Sequence, residues 1–194
     1  VEAAEFLQRL SDEAAAAGAS DVIQLTIMRG LAQSMWRLLE NTHGAARKPI
    51  AVRVETISRD VADRSTRLLG PTSTMALQDQ IRLALANTEL AKYKEATEAC
   101  QAVLDASKER FGECHTIRTQ AIIVLIKAQL FQGKAVQAAE LELKNIECAR
   151  LGAPILLIAP LSDALIIFDR GGRWADGERA ARELVSRLAE IGGG

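Results

Sequence analysis

Residues 69–96 read LGPTSTMALQDQIRLALANTELAKYKEA and contain the two kinds of helix break on which the fold depends. The first kind is a glycine that follows a large apolar residue, and it occurs at Gly70, Gly112 and Gly152. These glycines are 42 and 40 residues apart, a period typical of stacked supersecondary units. We expect each of them to end a helix in the left-handed conformation that other residues resist.

A second, weaker break lies within each repeat, at Ala91, Gly133 and Gly172. After each of these breaks, small or apolar residues return at three- and four-residue steps, which indicates one buried helical face. No segment alternates between apolar and polar residues as a half-buried strand would. The sequence therefore predicts an all-α fold built from antiparallel helix pairs. The nine predicted helices span residues 2–17, 20–42, 47–68, 73–90, 93–110, 115–131, 134–150, 154–170 and 173–191.

The length of 194 residues suits one sizeable domain, which would bury about 70% of its unfolded surface. We predict a single helical-repeat domain over residues 1–194, with a divergent segment at 1–68. The repeats are placed at residues 69–110, 111–150 and 151–192. The chain begins at Val1 instead of methionine and ends in three glycines. These ends indicate a fragment of a larger protein.

Charge and hydropathy exclude two classes of partner. Lys and Arg number 24 against 25 Asp and Glu, so the net charge of -1 provides no basic field for a phosphate backbone. The longest apolar runs fall far short of the roughly 20 residues that a spanning helix needs. We therefore predict neither nucleic-acid nor membrane binding.

The cysteines predict a reducing compartment. Cys100, Cys114 and Cys148 are odd in number and form no CxxC pair, which argues against both a disulfide framework and a zinc site. Cys100 and Cys148 fall at apolar helix positions and are expected to pack as small hydrophobes. A cytoplasmic protein without a metal or a cofactor is the resulting prediction.

The repeats resemble tetratricopeptide repeats, in the longer variety found in kinesin light chains. The matching stretches are Leu69-Gly70-Pro71, Leu83-Ala84, Tyr93-Lys94-Glu95-Ala96, Phe111-Gly112-Glu113-Cys114-His115-Thr116 and Gly133-Lys134-Ala135. The resemblance implies a right-handed superhelical stack of antiparallel helix pairs whose first helices line a concave groove. In the family, asparagines of that groove bind the backbone of an extended peptide. The corresponding positions here hold Ile81, Arg82, Ile123, Val124, Ser162 and Asp163, so an atypical groove is expected.

Seven polar residues are the candidates for a partner-binding strip on the concave face, because they recur at helical spacing on the first helices of the three repeats. They are Gln78, Arg82, Glu89, Gln120, Lys127, Asp163 and Arg170. The alternative interpretation is a solvated face whose charges pair within each helix.

No constellation of residues predicts catalysis or metal binding. His115 is expected to cap or pack at a helix start, and His43 lies in a turn without an acidic or cysteine companion. Glu140 with Glu142 is interpreted as a solvating pair, since no apolar pocket is evident that would raise either pKa. Trp36 and Trp174 are expected to wedge between helices. The chain is therefore predicted not to be an enzyme.

The predicted function is that of a protein–protein interaction scaffold, which binds a peptide or a partner domain on its concave face. A first alternative is the sensor or autoinhibitory region of a larger signalling or transcriptional regulator. A second is a small-molecule binder that uses an apolar groove around Val124 and Ile166. Self-association is a further hypothesis, because Ala/Leu faces on terminal helices such as residues 2–17 invite dimers.

Overall fold

The computed structural model describes residues 2–192, which form nine α-helices and no strand. The all-α prediction is therefore confirmed. The helices are α1 Glu2–Ala16, α2 Asp21–Glu40, α3 Arg47–Leu69, α4 Thr74–Glu89, α5 Tyr93–Ser107, α6 Thr116–Phe131, α7 Ala135–Ala149, α8 Ile158–Arg170 and α9 Trp174–Gly192. Short 3₁₀ turns precede α3 at Gly44–Ala46 and α8 at Pro154–Leu157. No helix within residues 2–192 is long and apolar enough to cross a bilayer.

The chain divides into two compact units, residues 1–95 (unit 1) and residues 96–194 (unit 2). The division falls in the first turn of α5, and so within the predicted repeat at 69–110. In unit 1, α1 packs on α2, α2 on α3 and α3 on α4. In unit 2 the same holds for α6 to α9. Sequential packing of this kind is what stacked helix pairs require, because one pair cannot bury its apolar face alone.

Unit 1 has its own apolar core. The fully or nearly fully buried side chains include Leu25, Leu31, Met35, Leu39, Val54 and Val61. Trp36 is half-buried against this core, as the sequence predicted. Two ion pairs join helices that are distant in sequence, Arg29 with Asp79 and Arg47 with Glu89.

Unit 2 has a second core, which α6 to α9 share. Its buried members include Ile122, Ile126, Ala138, Leu161, Phe168 and Ala180. The small residues on α7 let neighbouring helices approach closely, as the composition indicated. Arg118 on α6 donates to the carbonyl of Leu104 at 2.7 Å and to the hydroxyl of Ser107 at 3.1 Å, which fixes α5 against α6.

The three turns inside the predicted repeats have the same helix cap. The residue after the break donates its N–H to a carbonyl five positions earlier, from Lys92 to Asn87, from Lys134 to Gln129 and from Arg173 to Phe168, at 2.8–2.9 Å. The break residues Ala91, Gly133 and Gly172 have φ of 58°, 75° and 68°. This is the Schellman cap, which needs a left-handed residue to satisfy the last carbonyls of a helix.

Of the three glycines predicted to end a helix in a left-handed conformation, only Gly70 has a positive φ, 85° with ψ of 151°, and the prediction is wrong at Gly112 and Gly152. After α5 and α7 the chain continues in turns that contain no residue with a positive φ. The backbone N–H of His115 donates to the carbonyl of Gly112 at 3.0 Å, and the N–H of Gly152 donates to the carbonyl of Ala149 at 3.0 Å. These bonds close the turns without a left-handed residue, so the glycine pattern marked the breaks correctly but not their geometry.

Ala91→Gly is expected to raise the free energy of unfolding by about 0.5–1 kcal/mol. A left-handed alanine carries a steric penalty of about 1–2 kcal/mol, and the greater entropy of glycine in the unfolded chain offsets part of the relief. Urea unfolding followed by circular dichroism measures the change. Gly133→Ala is the matched control at the equivalent cap and should lower stability by a similar amount. A loss of stability in Ala91→Gly would contradict this account of the turn.

A disulfide joins Cys114 to Cys148, with their Cα atoms 4.9 Å apart, and the prediction that the cysteines stay unpaired is wrong. Cys114 lies just before α6 and Cys148 in the last turn of α7. Because α6 and α7 are antiparallel, these two positions meet at the end of the pair opposite its connecting turn. Disulfides persist mainly in oxidising compartments, so the cysteine argument for a reducing, cytoplasmic location no longer holds.

The remaining predictions about single residues have mixed outcomes. Cys100 is fully buried, as expected, and burial raises the pKa of its thiol to about 12. The His115 imidazole caps α6 by accepting the Ile117 N–H at 3.3 Å. The expectation for Trp174 is wrong, since 73% of it is exposed. It opens α9, the last helix within residues 2–192, and no later helix of the described chain lies there to cover it.

Candidate functional site

A cavity of about 320 Å³ lies in unit 2 among α6, α7 and α8. Each of the three helices contributes one side of it. The lining residues are Ile123, Ile126, Lys127 and Leu130 of α6, Glu142 and Asn145 of α7, and Ala159, Pro160, Asp163, Ile166 and Ile167 of α8. It is thus an apolar cavity with a few polar groups, the composition typical of binding pockets.

The apolar walls continue from the core to the surface. Ile126 and Ile167 are buried, whereas Ile123 is 50% exposed and Ile166 is 59% exposed. These two isoleucines come from neighbouring cavity walls and place large apolar surface at the rim. Single exposed apolar residues are ordinary, but two at the rim of one apolar cavity extend its apolar surface outward, which favours an interaction site.

Glu142 is the unexpected member of the site. It is only 2% exposed, and the side-chain amide of Asn145 lies 3.4 Å from both carboxylate oxygens. Its pKa is raised from the ordinary value of 4.5 to about 7, chiefly by burial, while the Asn145 hydrogen bond lowers it and the nearby charge of Asp163 contributes to the rise. The interpretation of Glu142 as a solvating partner of Glu140 is therefore wrong. Its spacing of four residues from Ala138 and from Ile146 could have shown that it lies on the buried face of α7.

This carboxyl group makes stability depend on pH. The folded-state pKa of about 7 lies above the ordinary value of 4.5, so the unfolded chain releases this proton first as the pH rises. Stability is therefore lost between about pH 4.5 and pH 7, and the loss is complete above that range. Glu142→Gln cannot ionise, and we expect it to be more stable than the wild type by about 2–3 kcal/mol at pH 8, with little difference at pH 4.

Urea unfolding at a series of pH values measures that difference. Glu140→Gln, an exposed change on the same helix, is the matched control and should follow the wild type at every pH. A constant difference between Glu142→Gln and the wild type across the pH range would contradict the titration of a buried carboxyl group.

Two of the predicted strip residues, Lys127 and Asp163, line the cavity. Gln120 and Arg170 lie on the same two helices, are exposed and do not line it. The apolar groove predicted around Val124 and Ile166 is half correct. Ile166 belongs to the rim, but Val124 is buried on α6 and does not line the cavity.

The other three strip residues lie on α4 in unit 1, and two of them form contacts there. Arg82 donates to Asp79 Oδ1 at 3.2 Å, an intrahelical pair of the kind that the alternative interpretation expected. Glu89 accepts from Arg47 Nη2 at 2.6 Å, while Nη1 of the same arginine donates to the carbonyl of Leu39 at 2.6 Å. Gln78 is half-buried. That these residues bind a partner stays a prediction.

No group of His, Cys, Asp or Glu side chains within the described part of the chain is arranged to hold a metal ion. The polar groups at the cavity are two carboxyls, an amide and an ammonium. They can bind through charge and hydrogen bonds, and the apolar walls can contribute burial.

Comparison with known proteins shows what the fold is. No family model and no curated protein matches the sequence. Two crystal structures of the nearly identical TPR-like repeats of a Podosopora anserina protein assigned as a kinesin light chain are similar to it. The first has a TM-score of 0.80 at 16% identity and covers 100% of this chain and 88% of its own. The second has a TM-score of 0.76 at 16% identity, with 98% and 87% covered.

A third similar structure is BtubC from P. vanneervenii, with a TM-score of 0.69 at 11% identity. It covers 100% of this chain and 89% of its own. Identities this low indicate a shared fold and carry no information on partners. The residues quoted above pointed to the same architecture. The chain thus has the fold of tetratricopeptide-like repeats, in the form seen in structures of kinesin light chain repeats.

Proposed function

We propose that the chain is a non-catalytic protein-interaction module, and that a partner protein binds unit 2 on the α6–α8 face. This face is defined by Ile123 and Lys127 of α6 and by Asp163 and Ile166 of α8. The observation that carries the proposal is the pair of half-exposed isoleucines at the rim of an apolar cavity. Protein interfaces have this composition, an apolar centre with a polar border.

The cavity is large enough to take an anchor side chain of a partner protein. Pockets for small ligands measure about 300–1,000 Å³, and the cavity, at about 320 Å³, is at the lower limit of that range. It suits a single inserted side chain, and the rim isoleucines offer additional contact area around that side chain. An anchor residue in a pocket, surrounded by weaker contacts that exclude water, is the usual energetic arrangement of an interface.

A displayed library of random peptides, selected on the purified chain, tests the proposal. We expect selected peptides to bind with a Kd in the micromolar range or tighter, and Ile166→Arg to weaken them by about tenfold or more. The matched control is Ile155→Arg, because Ile155 is equally exposed at 59%, belongs to the same unit and does not line the cavity.

The two variants distinguish binding at the α6–α8 face from non-specific apolar binding. Selected peptides that bind both variants as tightly as the wild type would place their site elsewhere and overturn the α6–α8 face. Equal weakening in both variants would also overturn it, because that result indicates non-specific apolar binding.

A further inference from the structure

We propose that the cavity of unit 2 binds a lysine side chain of the partner protein. In this arrangement the methylene stem lies between Ile123, Leu130 and Ile166, and the ammonium group reaches the carboxylate of Glu142. The inference rests on the proposed function, since it names the chemistry that the α6–α8 face recognises.

Glu142 retains unused capacity to accept hydrogen bonds. An ionised carboxylate offers about four acceptor sites. The contacts from Asn145 are 3.4 Å long on both oxygens, beyond the 2.7–3.2 Å of ordinary N–H···O bonds. Because Glu142 is only 2% exposed, water can donate few hydrogen bonds to its carboxylate. A donor that enters the cavity therefore stabilises the ionised form.

The charges that face the cavity favour a cation. Glu142 of α7 and Asp163 of α8 are carboxyl groups, and Lys127 of α6 carries the opposing charge. When both carboxyls are ionised, the cavity has a net negative charge, which attracts an ammonium group and repels a carboxylate. Placing opposite potentials across an interface in this way provides specificity for the partner.

The shape and the walls favour lysine among the cationic side chains. Its four-carbon stem can bury its methylenes against apolar walls while the compact ammonium group reaches a polar one. Its three donors can be shared between Glu142 and Asp163. The wider, planar guanidinium of arginine is best matched by a single carboxylate approached side-on, whereas the two carboxyls here come from different helices.

Binding of a cation by Glu142 is linked to its ionisation. With a pKa of about 7, the carboxylate form is a minority of the population at pH 6 and the majority at pH 8. The apparent Kd scales with the inverse of the competent fraction, so affinity for the ammonium group should rise by about tenfold over this interval.

A titration with two small probes tests the inference. One is lysine blocked at both backbone ends, Nα-acetyl-lysine N-methylamide, and the other is the norleucine analogue, which has the same four-carbon stem without the ammonium group. Methyl resonances of Ile123 and Ile166 in an NMR spectrum report occupancy. We expect the lysine probe to bind the wild type about tenfold more tightly than the norleucine probe at pH 8.

Three variants define the contacts. Glu142→Gln should abolish both the preference for lysine and its dependence on pH. Asp163→Asn, an exposed change that leaves the core intact, should reduce the preference severalfold. Lys127→Gln removes a like charge from the cavity and should tighten the lysine probe. Weaker binding in Lys127→Gln would overturn the assignment, because it would mean that the cavity recognises an anion.

Equal or tighter binding of the norleucine probe would also overturn the lysine assignment while leaving the proposed function in place. A different result would contradict the proposed function, namely selected peptides that bind Ile166→Arg as tightly as the wild type. The two failures are therefore distinguishable.

Discussion

Asp79→Ala is expected to lower the free energy of unfolding of unit 1 by about 3–5 kcal/mol, the loss typical when one partner of a buried ion pair is removed. Asp79 is 1% exposed, and its Oδ2 accepts from Nε of Arg29 at 2.8 Å and from Nη2 at 2.6 Å. Arg82 contacts the other oxygen. Without the carboxylate, the Arg29 guanidinium, whose side chain is 16% exposed, would remain in a poorly hydrated position.

Urea unfolding followed by the fluorescence of Trp36 measures this loss. Both variants are made in a Trp174→Phe background, so that Trp36 of unit 1 is the only tryptophan that contributes to the signal. The matched control is Asp60→Ala. Asp60 also accepts from an arginine, Arg64, at 2.8 Å, but its side chain is 45% exposed. Exposed pairs contribute about 0–1 kcal/mol, so the control should change little. A loss below about 1 kcal/mol in Asp79→Ala would show that the pair does not hold α2 to α4.

The second large effect is expected at the disulfide. Replacing Cys114 and Cys148 together by alanine should lower the free energy of unfolding of unit 2 by about 3–4 kcal/mol. The cross-link closes a loop with a sequence separation of 34, and restricting an unfolded loop of this length accounts for a stabilisation of that size.

The wild type treated with dithiothreitol provides the control, because it loses the same bond without a change of sequence. Urea unfolding of the reduced wild type should coincide with that of the double variant, and the double variant should not respond to the reductant. A double variant as stable as the oxidised wild type would contradict a constraint by the cross-link.

The helices could be predicted from local signals. A few consecutive residues are enough to identify the break at Gly70 and the turns at Ala91, Gly133 and Gly172. The helix limits predicted from them agree with the structure within about three residues at most ends. Such signals depend on backbone conformation and on the helical period, and both can be read along one segment.

The polar residues that matter most could not be predicted in the same way. Glu142 and Asp79 are charged residues on helices, and their burial depends on which neighbouring helix covers them. The same is true of Cys114 and Cys148, which meet only because α6 and α7 are antiparallel and of similar length. The strip residues Lys127 and Asp163 were found by helical spacing, but the cavity between them arises from three helices together.

The cross-linked pair α6 and α7 also determines how the chain responds to mechanical force. A pull applied outside residues 114–148 cannot extend the segment between the two sulfur atoms, which would otherwise measure about 110–120 Å when stretched. Two of the three walls of the cavity lie in that segment. Under load, α8 can separate while α6 and α7 remain side by side, so the cavity opens on one side and two of its three walls stay together.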